Sequence, residues 1–208
     1  MIFEIRDAQP SDAAFIARNI LAGMGYDVFS DKGLEEKMDF DQREISLAEA
    51  IDAFIPICGA PDTLYSYTRT RISTVDGIPT GSLTAYPGDE YLALREFTWG
   101  EWGRSLGVET AVSSEPECYP GEFYLDTLAV LPERRSQIFT DEGVTDKTGH
   151  LLMLDALRKG REAGLKCASL IVDSEKPHLG EYYSRIGFRP EAQMLFFGHP
   201  YTRMRVDL

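Results

Sequence analysis

An apolar run, Phe123-Tyr124-Leu125-Asp126-Thr127-Leu128-Ala129-Val130, predicts a strand that ends at Pro132, where the missing amide N–H stops a ladder. By a period of two, Tyr124, Asp126 and Leu128 share one face, and Phe123, Leu125 and Thr127 the other. Leu151, Leu152, Leu154, Leu157 and Ala163 then recur at helical spacing, with Gly164 as the stop. A second apolar run, Ala168 to Val172, completes a βαβ unit whose strands are expected to be parallel, with a right-handed crossover.

Upstream, Ile2, Phe3 and Ile5 read as a first strand, and Pro10-Ser11-Asp12 opens a helix through Ala13, Phe15, Ile16, Ile20 and Leu21. A helical region is expected from about Leu34 to Ile55, before Pro56 and Pro61. Two strands follow near 63–73 and 78–86, joined by a hairpin turn at Asp76-Gly77. The stretch 87–120 reads as an insertion holding both tryptophans, Trp99 and Trp102, with a helix over Tyr91–Leu106 interrupted at Gly100 and Gly103. Strands are expected near Met194–Gly198 and Tyr201–Val206.

The run Leu128-Ala129-Val130-Leu131-Pro132-Glu133-Arg134-Arg135, then Gly149 with Leu152, then Tyr183-Ser184-Arg185-Ile186-Gly187-Phe188, resembles the GNAT superfamily of N-acetyltransferases over about a third of the chain. The resemblance implies one α/β (α+β) domain over 1–208, with a mostly antiparallel central sheet, a splayed parallel strand pair and flanking helices. It also implies acetyl-CoA as cosubstrate. The backbone near Leu128, Ala129 and Val130 would take the pantetheine arm, and the following loop and helix start the pyrophosphate, where amides and the helix dipole favour an anion. Tyr183 would protonate the departing thiolate.

The loop departs from the family pattern. Val144-Thr145-Asp146-Lys147-Thr148-Gly149 stands where Arg/Gln-x-x-Gly-x-Gly is usual, and an extended loop over about 134–146 separates Arg134 and Arg135 from the helix. Lys147, Thr148 and Gly149 still offer a cation, a hydroxyl and flexible backbone to a phosphate. Lys176 replaces an Asn common in the family seven residues before the tyrosine.

The net charge of −13 argues against nucleic-acid binding, which needs a basic patch, and better suits a cationic amine, whether small molecule or peptide. No apolar run approaches the ~20 residues that span a bilayer, and the N-terminus has no signal-peptide pattern, so a cytoplasmic location is expected. Cys58, Cys118 and Cys167, and His150, His178 and His199, are scattered without ligand spacing; neither a disulfide framework nor a metal is expected. A homodimer through the added segments or the C-terminal strands fits the pattern.

Direct attack of a primary amine on the thioester needs a proton acceptor. Asp126 on its apolar strand is the first candidate, since burial raises a carboxyl toward useful basicity, and Glu122 is the second. The insertion 87–120, with Met24, Tyr26 and Phe29, is where the acceptor is expected. Two other readings follow from the altered loop: a CoA-binding or interaction module without catalysis, and an unrelated α/β enzyme using Arg134, Arg135 and Lys147 on another phosphorylated ligand.

Overall fold

The computed structural model describes residues 1–40, 43–110 and 115–208. Strand β1 (Phe3–Asp7) leads into helix α1 (Ala13–Gly23). The region expected as one helix over 34–55 divides instead into α2 (Asp31–Leu34), a small antiparallel pair β2 (Lys37–Phe40) and β3 (Arg43–Ser46), and α3 (Leu47–Gly59). Buried Met38 and Ile45 pair across β2 and β3, and the Ser46 hydroxyl accepts from the Glu49 amide, so the helix is capped only there. Pro56 lies inside α3 and does not end it.

Strands β4 (Thr70–Val75) and β5 (Ile78–Pro87) form the expected hairpin, and Asp76 and Gly77 both take positive φ as a two-residue turn requires. Helix α4 (Tyr91–Leu106) runs unbroken through Gly100 and Gly103. A side chain at Gly103 would meet the Val108 carbonyl at 2.7 Å, so this glycine serves close packing of the following turn. Then come β6 (Phe123–Val130), the antiparallel pair β7 (Ile138–Asp141) and β8 (Val144–Lys147), α5 (Thr148–Glu162), β9 (Cys167–Asp173), α6 (Pro177–Arg185), β10 (Arg189–Phe196) and β11 (His199–Asp207). The expected loop over 134–146 is thus largely a hairpin turning at Glu142-Gly143, both at positive φ. Phe139 pins it to the first strand by stacking on Phe3 at 4.7 Å.

The main sheet has the order β1-β4-β5-β6-β9-β11-β10, antiparallel except between β6 and β9. One face carries the aliphatic and aromatic core of α1, α3 and α4, including Ile16, Ile20, Phe54 and Trp102. The other carries α5 and α6 through Leu152, Leu157, Leu170 and Phe188.

Candidate active site

Strands β6 and β9 pair only at Phe123 with Ala168 and Tyr124 with Ser169, although both run on beyond that point. From Leu125 onward they separate, leaving the β9-facing edge of β6 without a strand partner. The expected splay is therefore present.

On its other edge β6 bulges. Thr127 pairs with Thr84 and Leu125 with Ala85, so Asp126 is the extra residue. The bulge corrects the alternation expected from sequence: Leu128 joins the α5 face, while Thr127 turns toward α1, where a side chain at Gly23 would collide with it at 2.3 Å. Asp126 and Thr127 consequently share one side, and both line a cavity of about 580 Å³ between the splay, α1 and α4.

Two carboxylates dominate this cavity. Asp126 accepts from the Tyr86 hydroxyl and, at 2.9 Å, from Thr127. Glu117, only 9% exposed, accepts from Tyr124 at 2.8 Å and Tyr91 at 3.0 Å, while Arg203 holds its backbone carbonyl at 2.9 Å. Neither makes an ion pair among the described residues. Burial raises both above the usual carboxylate range, Glu117 further because Asp126 is near; the tyrosine hydroxyls pull the other way. Tyr65, Trp99 and Trp102 supply aromatic walls, and Phe196, Phe197, His199 and Tyr201 of the β10–β11 turn close another side.

Across the sheet, α5 starts beside the splay. A Cβ on Gly149 would lie 3.8 Å from both Leu128 and Val130 and 3.1 Å from the Tyr182 hydroxyl. Among the described residues no side chain caps α5 and the buried Thr148 hydroxyl has no hydrogen-bond partner, so this helix start has polar groups to offer a ligand. The exposed Lys147 side chain has no ionic partner among the described residues. Asp146 is engaged by the Lys147 amide and His150, which hold its carboxyl below the usual range. Arg134 donates to Gln137 at 3.0 Å, and Arg135 to the Val130 carbonyl at 3.0 Å; neither pairs with a carboxylate among the described residues. This donor set fits the phosphate and pantetheine portions of CoA.

Tyr183 packs among the α5-face residues, edge-on to Phe188 at 6.1 Å, and burial pushes its hydroxyl up to about 12. It is a protonated phenol at neutral pH. Lys176 turns away to Asp173 at 3.1 Å, which also accepts from His199 at 2.9 Å and sits low, at about 2, chiefly through that histidine. Asp173, Glu175 and His199, dispersed in sequence, place ligand-type atoms within 4.8 Å of one another. Glu122 is committed elsewhere: it pairs with Arg203 and accepts from Ser169 at 3.0 Å and the Tyr119 amide at 3.1 Å. That network ties β6 to β9 and β11.

Sequence reading missed Glu117, Tyr86 and Tyr124 as parts of the site. Glu117 sits in an irregular stretch before β6 with no periodicity to mark it, and its burial depends on α4 folding over it.

No protein-family profile matches the chain, and no curated protein does. Solved structures do. An acetyltransferase is 26% identical, with a TM-score of 0.70 over 98% of both chains. An N-acetyltransferase from Staphylococcus aureus Mu50 is 18% identical, with a TM-score of 0.69 over 98% of this chain and 100% of that one. The PaiA N-acetyltransferase of Thermoplasma acidophilum, solved in complex with coenzyme A, is 15% identical, with a TM-score of 0.53 over 100% of both chains. No helix among the described residues is long and apolar enough to cross a membrane. With this sheet order and its splayed strand pair, the chain has the fold of these N-acetyltransferases.

Proposed function

We propose that this protein transfers an acetyl group from acetyl-CoA to a primary amine by direct attack in a ternary complex. The observation that carries this reading is the splay of β6 from β9, with an uncapped helix start on one face of the sheet and a carboxylate-bearing cavity on the other. Such a gap lets two substrates meet through the sheet, which converts a bimolecular encounter into an oriented one.

Acetyl-CoA supplies an activated thioester. The free edge of Leu128, Ala129 and Val130 holds its pantetheine arm by backbone hydrogen bonds. Lys147, Thr148 and Gly149, with Arg134 and Arg135 nearby, take the phosphates. The acceptor enters from the α1 and α4 side, and Asp126, raised by burial, removes the ammonium proton so that the nitrogen lone pair can attack. Tyr183 gives its proton to the departing thiolate. Glu122 has no part in this scheme. The carboxylates in the cavity favour turnover over a bare CoA-binding module, since CoA binding alone needs neither.

Isothermal titration with acetyl-CoA, CoA and a nucleotide lacking the pantetheine arm tests the cosubstrate. Thiol release with a panel of amines tests transfer. Micromolar binding that requires the arm, followed by amine-dependent thiol release, is expected; absence of binding would sink the reading.

A further inference from the structure

The acceptor cavity holds more carboxyl groups than one reacting amine needs. Asp126 lies at the splay. Glu117 lines the same space and accepts from the hydroxyl of Tyr124, the last β6 residue still paired to β9. Asp39 adds a carboxylate on the exposed β2 strand. No lysine or arginine is among the described residues lining the space. The buried guanidinium of Arg95 donates to the Tyr91 hydroxyl at 3.5 Å and its charge partly offsets that of Glu117, but it does not line the space. Tyr65, Trp99 and Trp102 offer ring faces and apolar wall between the charges, suited to a methylene chain and to a cation over a ring.

Burial pushes both carboxyls toward their neutral forms, and a cation brought in by a ligand would favour the ionised forms again. A ligand carboxylate here would face like charge with no cation to receive it. We propose, resting on the acetyltransferase reading, that the acceptor is a small aliphatic diamine or polyamine without an anionic group, its reacting amine at Asp126 and its second ammonium against Glu117.

The test compares initial rates at saturating acetyl-CoA for 1,4-diaminobutane, butylamine and ornithine, which is the same diamine bearing a carboxylate. A kcat/KM for diaminobutane at least about tenfold above both others is expected. Glu117→Gln should bring the diaminobutane-to-butylamine ratio close to one. Equal rates with butylamine, undiminished rates with ornithine, or a ratio unchanged in Glu117→Gln would each overturn the proposal. Should the variant not fold, the wild-type comparison decides alone. If acetyl-CoA binds but no amine is acetylated, the transfer reading fails, and calorimetry of diaminobutane against butylamine decides the cavity separately: selective diamine binding sustains the proposal, and its absence ends it.

Discussion

The Tyr86 hydroxyl donates to Asp126 across the β5–β6 pair, at the place where the register slips by one residue. Because the bulge puts Asp126 and Thr127 on the same side, the carboxylate is held by neighbours and still opens onto the cavity. Burial raises it, and the Tyr86 hydrogen bond, which favours the ionised form, limits that rise.

A base raised in this way loses its ionised form as pH falls through the raised value. The acidic limb of kcat/KM against pH is therefore expected above the ordinary carboxylate range. Tyr86→Phe removes a hydrogen bond to the ionised form and should move that limb to still higher pH. A limb unmoved by the substitution would remove Asp126 as the base.

Glu117 binds its proton more tightly in the fold than in the unfolded chain, so ionising it costs stability as pH rises from the ordinary carboxylate range through the raised value. Glu117→Gln avoids that cost. The variant should be more stable than the parent at alkaline pH by at least about 1.4 kcal/mol, the equivalent of one pKa unit. The difference should vanish in acid, where both side chains are neutral. Urea unfolding at several pH values reads it directly.

For the leaving group, Tyr183→Phe removes one oxygen from a packed aromatic. Turnover should fall by about tenfold or more, within the range typical of general acid catalysis, while acetyl-CoA affinity stays close to that of the parent. Unchanged turnover at saturation would take Tyr183 out of the mechanism.

At the helix start, Lys147→Ala should weaken acetyl-CoA more than a dephosphorylated pantetheine fragment. Gly149→Ala places a methyl 3.1 Å from the Tyr182 hydroxyl and against the open edge of β6, and should weaken both ligands. Equal losses for both ligands in Lys147→Ala would exclude a phosphate contact.

Arg203 joins Glu122 and the Glu117 carbonyl within the fold. Arg203→Met leaves Glu122 buried without its cation and should destabilise by about 3–5 kcal/mol. Adding Glu122→Gln should recover part of that loss. A destabilisation below 1 kcal/mol, well short of the range for a broken buried pair, would show that the pair is not a structural tie.

The sequence alone carried the βαβ unit, the Asp76-Gly77 hairpin and the order of motifs, because strand and helix periodicities, turn residues and short-range spacing are local properties. Tyr183 and Gly149 are proposed through the family resemblance, and Asp126 through its place on an apolar strand. Three features needed the third dimension. The bulge at Asp126 depends on its partner strand β5, so a strict period of two misassigned Leu128 and Thr127. The region 34–55 became a short hairpin and a helix because Met38 and Ile45 found burial against α3 and its neighbours, which helical propensity could not foresee. Glu122 and Glu117, five residues apart and equally acidic in sequence, were separated in role only by their surroundings. Arg203, from β11, pairs directly with the first, whereas the second is held by the Tyr91 and Tyr124 hydroxyls in a desolvated cavity. Charge compensation acts between residues distant along the chain, and only the folded arrangement decides which carboxylate is left to meet a ligand.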